Sequence, residues 1–130
     1  MFENLQIFSM ASALAKHGAA RQAIVAENIA NADTPGYRAR DVASFAESYS
    51  ARSTDSLFAT RPGHRFEGEP GFAAGPREVY RPGAESPNGN NVSIENEIFA
   101  AAEASSDHQK ALAVYRSALT VLRTSLSGRG

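Results

Sequence analysis

Three histidines, His17, His64 and His108, are the side chains best suited to metal binding or proton transfer, and they are scattered. None is paired with a second His, Asp or Glu at ligand spacing, so a metal centre is not expected. Two acidic pairs, Glu95 with Glu97 and Glu103 with Asp107, fall on a helical pattern and read as solvated surface charge. Asn91-Val92-Ser93 has the form of a glycosylation acceptor, yet Ser93 fits better as a helix N-cap. Arg38, Arg40, Arg61 and Arg65 gather positive charge that Asp41, Glu67 and Glu69 offset. There is no Cys, no glycine-rich phosphate loop and no Gly-x-Ser-x-Gly elbow. These residues point away from an enzyme, and to no metal, cofactor or small-molecule substrate. A net charge of −1 gives no reason to expect nucleic acid or an anionic membrane as partner.

The elements around these residues are clearer than any site. Residues 4 to 32 read as a helix, with no Pro, one Gly (Gly18) and many Ala. Ile7, Met10, Ala11, Leu14, Gly18, Val25 and Ile29 recur near one face, with Leu5, Phe8, Ala15, Ala19, Ala26 and Ala30 beside it. The pattern stops at Asn31-Ala32-Asp33-Thr34-Pro35-Gly36-Tyr37. Pro35 cannot donate a backbone hydrogen bond and moves Thr34 out of the α region, while Gly36 accepts positive φ.

The middle carries five of the six prolines, between Pro62 and Pro87, so no helix runs through it. Short extended pieces fit at residues 42–45, 56–60 and 78–81, and Asn88-Gly89 suits either a hairpin or a plain loop. The last third reads as a second long helix from Ile94 to Leu126, with Glu95 and Glu97 favoured by the helix dipole. Ile98, Ala101, Ser105, His108, Leu112, Tyr115, Leu119, Leu122 and Leu126 follow one another in steps of three and four, a heptad seam.

The expected fold is mostly α. Two long terminal helices pack as a coiled-coil-like hairpin, and an irregular Pro/Gly-rich middle has room for a small β element. The expected divisions are 1–34, 35–92 and 93–130. Two helices enclose no core between them, so each keeps an apolar flank, and long exposed apolar stripes mark assembly surfaces. The N-terminus has neither a basic lead nor an unbroken apolar run, so no cleaved secretory signal is expected.

The order Asn28-Ile29-Ala30-Asn31-Ala32-Asp33-Thr34-Pro35-Gly36-Tyr37-Arg38-Ala39-Arg40-Asp41 resembles the N-terminal signature of bacterial flagellar basal-body rod and hook proteins. The Ala-Asp-Thr-Pro-Gly-Tyr wording is most similar to the proximal rod member of that family. Asn88-Gly89-Asn90-Asn91-Val92-Ser93 and the run from Tyr115 through Leu119, Leu122 and Arg123 are similar to two further patches of it. Ser93 departs from the family, which has an acidic residue there. The match covers both ends and hardly touches the middle.

The resemblance implies a structural subunit of a hollow axial drive shaft crossing the periplasm. It implies export through the flagellar type III gate without a cleaved signal. Its implied partners are other copies, neighbouring rod proteins, the adaptor between membrane ring and rod, and the export gate. Asn28, Ile29, Asn31, Asp33, Thr34, Pro35, Gly36 and Tyr37 would form the signature turn. Ile7, Leu14, Val25, Ile98, Leu112, Tyr115, Leu119, Leu122 and Leu126 would pack the helices. The alternatives are another flagellar rod protein, a soluble helical adaptor that binds partner helices, and an enzyme whose site would lie near Arg61, His64, Arg65 and Glu67.

Overall fold

Eight alanines from Ala11 to Ala30, with no proline, let the N-terminal third form one uninterrupted helix, α1, over Phe2–Ala30. The computed structural model describes residues 2–49 and 76–128 of the 130. Strands β1 (Arg40–Val42) and β2 (Glu78–Tyr80) follow, then α2 over Ile94–Ser127. The strands are antiparallel, with Asp41 opposite Val79. Flanking bonds extend the ladder, Ala43 N–H to Arg77 O at 2.8 Å and Arg81 N–H to Ala39 O at 2.9 Å. The ladder leaves Phe45 out. A helical turn occupies residues 45–49, and Ser44 Oγ accepts the Glu47 N–H at its start. The expected extended piece at 56–60 lies outside the described residues.

The two long helices form an antiparallel hairpin. Asn28 meets Glu97 at one end. Phe8 meets Tyr115 toward the other, ring edge to ring face with centroids 5.2 Å apart. His108 lies between, its Nδ1–H donating to the Ala15 carbonyl. The helices approach closely at Gly18. A Cβ there would stand 3.2 Å from His108 Cβ and 3.3 Å from the Ala104 carbonyl oxygen.

That close approach rotates the seam away from the expected one. On α2 the buried positions are Glu97, Ala100, Ala104 and Ala111. They sit one residue ahead of Ile98, Ala101, Ser105 and Leu112. Ile98 is 59% exposed and Leu126 73% exposed, while Leu119 and Leu122 are half-buried. Helices separated by Gly and Ala leave no room between them for Leu or Ile, so the larger side chains turn to the flanks. The same happens on α1. Ala11, Gly18, Val25 and Asn28 are buried and Leu14 half-buried, whereas Ile7, Met10 and Ile29 are exposed. A second buried stripe on α1 holds Ala13, His17 and Ile24. From it His17 Nε2–H donates to the Ala43 carbonyl at 2.7 Å, and its ring packs edge-on against Phe45.

Ser93 caps α2 as expected, its hydroxyl accepting the Asn96 N–H. Among the described residues, no helix is long and apolar enough to cross a membrane.

Candidate functional site

The polar end of the hairpin gathers the signature turn, both strands and the start of α2 into one hydrogen-bonded clasp. It begins where α1 stops. The last turn tightens, with Asn31 N–H shared between the Glu27 and Asn28 carbonyls and Ala32 N–H reaching only to Ile29. Tyr37 N–H then closes a turn on the Thr34 carbonyl at 3.2 Å, with Pro35 second and Gly36 third. Gly36 has φ 72°, the left-handed value that this turn type requires at its third residue. Asn31 Nδ2 caps the Glu27 carbonyl. From the loop before α2, Asn90 Nδ2 bonds the carbonyls of both Asn31 and Thr34, satisfying acceptors that a helix end leaves open.

Asn28, fully buried, uses both ends of its amide. Its Nδ2 donates to the Arg40 carbonyl at 2.7 Å and to Glu97 Oε2 at 3.1 Å. Its Oδ1 accepts from Tyr37 Oη–H and from Arg40 N–H. Asn91 works the same way from the other side, accepting Ala39 N–H at 2.6 Å and donating to the Arg81 carbonyl.

Charged groups lie behind these amides. Arg81 donates to Glu97 Oε1 and to Asp41 Oδ2, each at 2.6 Å. Arg21 bridges Asp41 at 3.0 Å and Glu103 at 2.8 Å. Glu97 is only 1% exposed, so its place as solvated charge is corrected: it is the largest fully buried side chain described. Arg40 pairs outside the clasp with Glu27 and Glu78, and Arg38 with Glu85. Arg61, Arg65, Glu67 and His64 lie outside the described residues.

Burial pushes the Asp41 carboxyl up, but bonds from Arg81, Arg21 and the Val42 N–H outweigh it and hold the group below its ordinary value. A carboxylate depressed in the folded state stabilises fully above its unfolded value, ~3.9, and that stability is lost as pH falls through the lower folded value. Urea midpoints measured from neutral pH downward should therefore hold steady in respect of this group to about pH 4 and then fall. In Asp41→Asn the midpoint should be lower at neutral pH and the acid slope shallower. An unchanged acid slope would remove Asp41 from this role.

Of the expected signature residues, the clasp brings together Asn28, Asn31, Thr34, Pro35, Gly36 and Tyr37. Ile29 and Asp33 are exposed beside it. Sequence reasoning missed Asp41, Arg81 and Glu97 as partners, because residues 41 and 81 or 81 and 97 carry no local pattern that pairs them. The buried side chains of the clasp match donors to acceptors. Among the described residues, no group of three His, Asp or Glu could hold a metal ion. The clasp ties the exit of α1 to the entry of α2.

A family model described as flagella basal body rod protein matches residues 11–38, from the first buried alanine of α1 to the end of the turn. The flagellar basal body rod protein FlgB of two Cereibacter sphaeroides strains is 35% identical over 109 residues, covering 83% of this chain and 84% of each relative. The protein of the same name from Agrobacterium fabrum is 41% identical over 61 residues, 46% of each chain.

Proposed function

The chain belongs to the flagellar basal body rod protein FlgB family and is a structural subunit of the rod, and from that premise we propose that its terminal helices complete their core against neighbouring subunits to line a hollow axial shaft. One observation carries this reading. Away from the clasp the seam between α1 and α2 is closed mainly by Gly and Ala, while Ile98, Phe99, Val114, Val121 and Leu126 stand between 44% and 76% exposed on α2. At ~25 cal/mol per Å² of apolar surface, covering such side chains stabilises far more than the alanine seam does. Toward the far end of the hairpin, a groove of about 210 Å³ opens among Ala11, Ser12, Ala15, Ala111, Leu112 and Tyr115, with room for a side chain from outside.

The clasp holds its own end together, and the far ends become fully ordered on docking. Ordering costs about 1–2 kcal/mol per residue, which an Ala-lined interface alone does not offset. Coupling final ordering to assembly keeps the chain threadable through the type III export gate. The other expected contacts are copies of the chain, neighbouring rod proteins and the adaptor at the membrane ring, with the rod crossing the periplasm.

Phe99→Glu and Val121→Glu test the reading. Both side chains are exposed, so the isolated chain should change in stability by no more than ~0.5 kcal/mol. In a strain lacking the gene, the variants should fail to restore motility and should be absent from purified basal bodies. Full motility with either variant would overturn the proposal.

A further inference from the structure

Ser86-Pro87-Asn88-Gly89 contains the single Asn-Gly dipeptide of the sequence. An asparagine followed by glycine is chemically exposed in a way others are not. With no Cβ on the next residue, its backbone nitrogen approaches the asparagine carboxamide carbon without hindrance.

In the folded chain both partners of that reaction are tied down. The Gly89 N–H donates to the Ser86 carbonyl at 2.8 Å, and the Ser86 N–H donates to the Asn90 carbonyl at 2.8 Å. Asn88 Oδ1 accepts the Asn90 N–H at 3.1 Å, which ties the carboxamide to the backbone two residues on. The Asn88 carbonyl accepts the Gly36 N–H at 2.9 Å. Gly89 has φ 82°, and a Cβ on it would stand 3.4 Å from Gly36 Cα. The Asn88 side chain is exposed, so water is at hand, and the restraint comes from the hydrogen bonds on the Gly89 N–H and the Asn88 carboxamide.

We propose that Asn88 is a deamidation site which the clasp holds shut and which opens when this loop unfolds. The Gly89 nitrogen gives its proton to hydroxide and bonds to Asn88 Cγ. The Cγ–Nδ2 bond breaks, and Nδ2 takes a proton from water and leaves as ammonia. The cyclic imide then takes up one water. Breaking the ring at Cγ gives aspartate, and breaking it at the backbone carbonyl carbon gives isoaspartate. No oxidant or reductant is needed.

The isoaspartate product routes the main chain through the side-chain methylene. The carbonyl that received the Gly36 N–H becomes a free carboxylate, and the Gly36–Gly89 contact cannot re-form as before. Modification thus strikes the signature turn from the opposite side of the clasp. It acts as a chemical clock on chains that linger unfolded, whatever those chains later assemble into.

The test incubates the full-length chain at mildly alkaline pH, with and without denaturant. Conversion of amide to acid is followed by mass in the peptide containing residues 88–89. The rate in denaturant should exceed the native rate by at least about tenfold, equivalent to a local opening free energy of ~1.4 kcal/mol or more. Gly36→Val should raise the native rate toward the denatured one and leave the denatured rate alone. Asn88→Gln should abolish the mass gain in this peptide. Equal rates in the two conditions, a gain located at another asparagine, or a native rate unmoved by Gly36→Val would each overturn the proposal.

Discussion

Replacing Arg81 by Ala is expected to lower folding stability by about 3 kcal/mol or more, read as a shift in the urea midpoint at neutral pH. Arg81 serves two acids at once, Glu97 and Asp41, both at 2.6 Å. Truncation leaves Glu97, 1% exposed, with the Asn28 amide as its one side-chain partner among the described residues. A buried charge stripped of its counter-ion is far more costly than the intact pair is favourable. Asp41 suffers less, because Arg21 still holds it. Adding Glu97→Ala to Arg81→Ala should therefore recover part of the loss, since the second change removes the stranded charge. The comparison is Arg38→Ala. Its pair with Glu85 is exposed on both sides, and exposed pairs contribute ~1 kcal/mol or less. If Arg81→Ala and Arg38→Ala shift the midpoint equally, the clasp is not the structural centre of the fold.

Gly36→Val should abolish motility and lower stability by about 2 kcal/mol through backbone strain. Nothing lies within 4 Å of a Cβ built on Gly36, so the fault is not a clash. It is the φ of 72°, which a β-branched residue resists strongly. Gly36→Asn is the discriminating control, because asparagine tolerates the left-handed region and fills the same open space. The asparagine variant should swim and the valine variant should not. If both fail, the requirement lies in glycine's size rather than its backbone freedom. If both swim, the turn does not set the path of the chain.

The frame of the molecule was legible in the chain. Ala density and absent prolines marked α1, Ser93 with Glu95 and Glu97 marked the start of α2, and Pro35-Gly36 marked the turn. Each is a local signal, read within a few residues. The seam was harder, because periodicity weights positions by hydrophobicity. It therefore selected Ile98 and Leu112, while the folded chain buries Glu97 and Ala111. Small residues won because Gly18 and the alanines let the backbones come together, and a buried glutamate became tolerable once Arg81 and Asn28 reached it. Those partners lie 16 and 69 residues away. No spacing rule connects them. Asn91 stood within a conspicuous polar run and Asn28 opened the signature, but only the fold showed that each joins two segments with one amide.

The central claim is that neighbouring subunits cover the side chains that the hairpin leaves bare. Because the sequence has no Cys, a single one placed at Phe99 or Val121 would be an unambiguous probe. Thiol labelling of the free chain and of purified basal bodies compares the two states directly. Rapid labelling of the free chain and protection in the rod is the predicted result. Equal labelling at both positions in both states would contradict it.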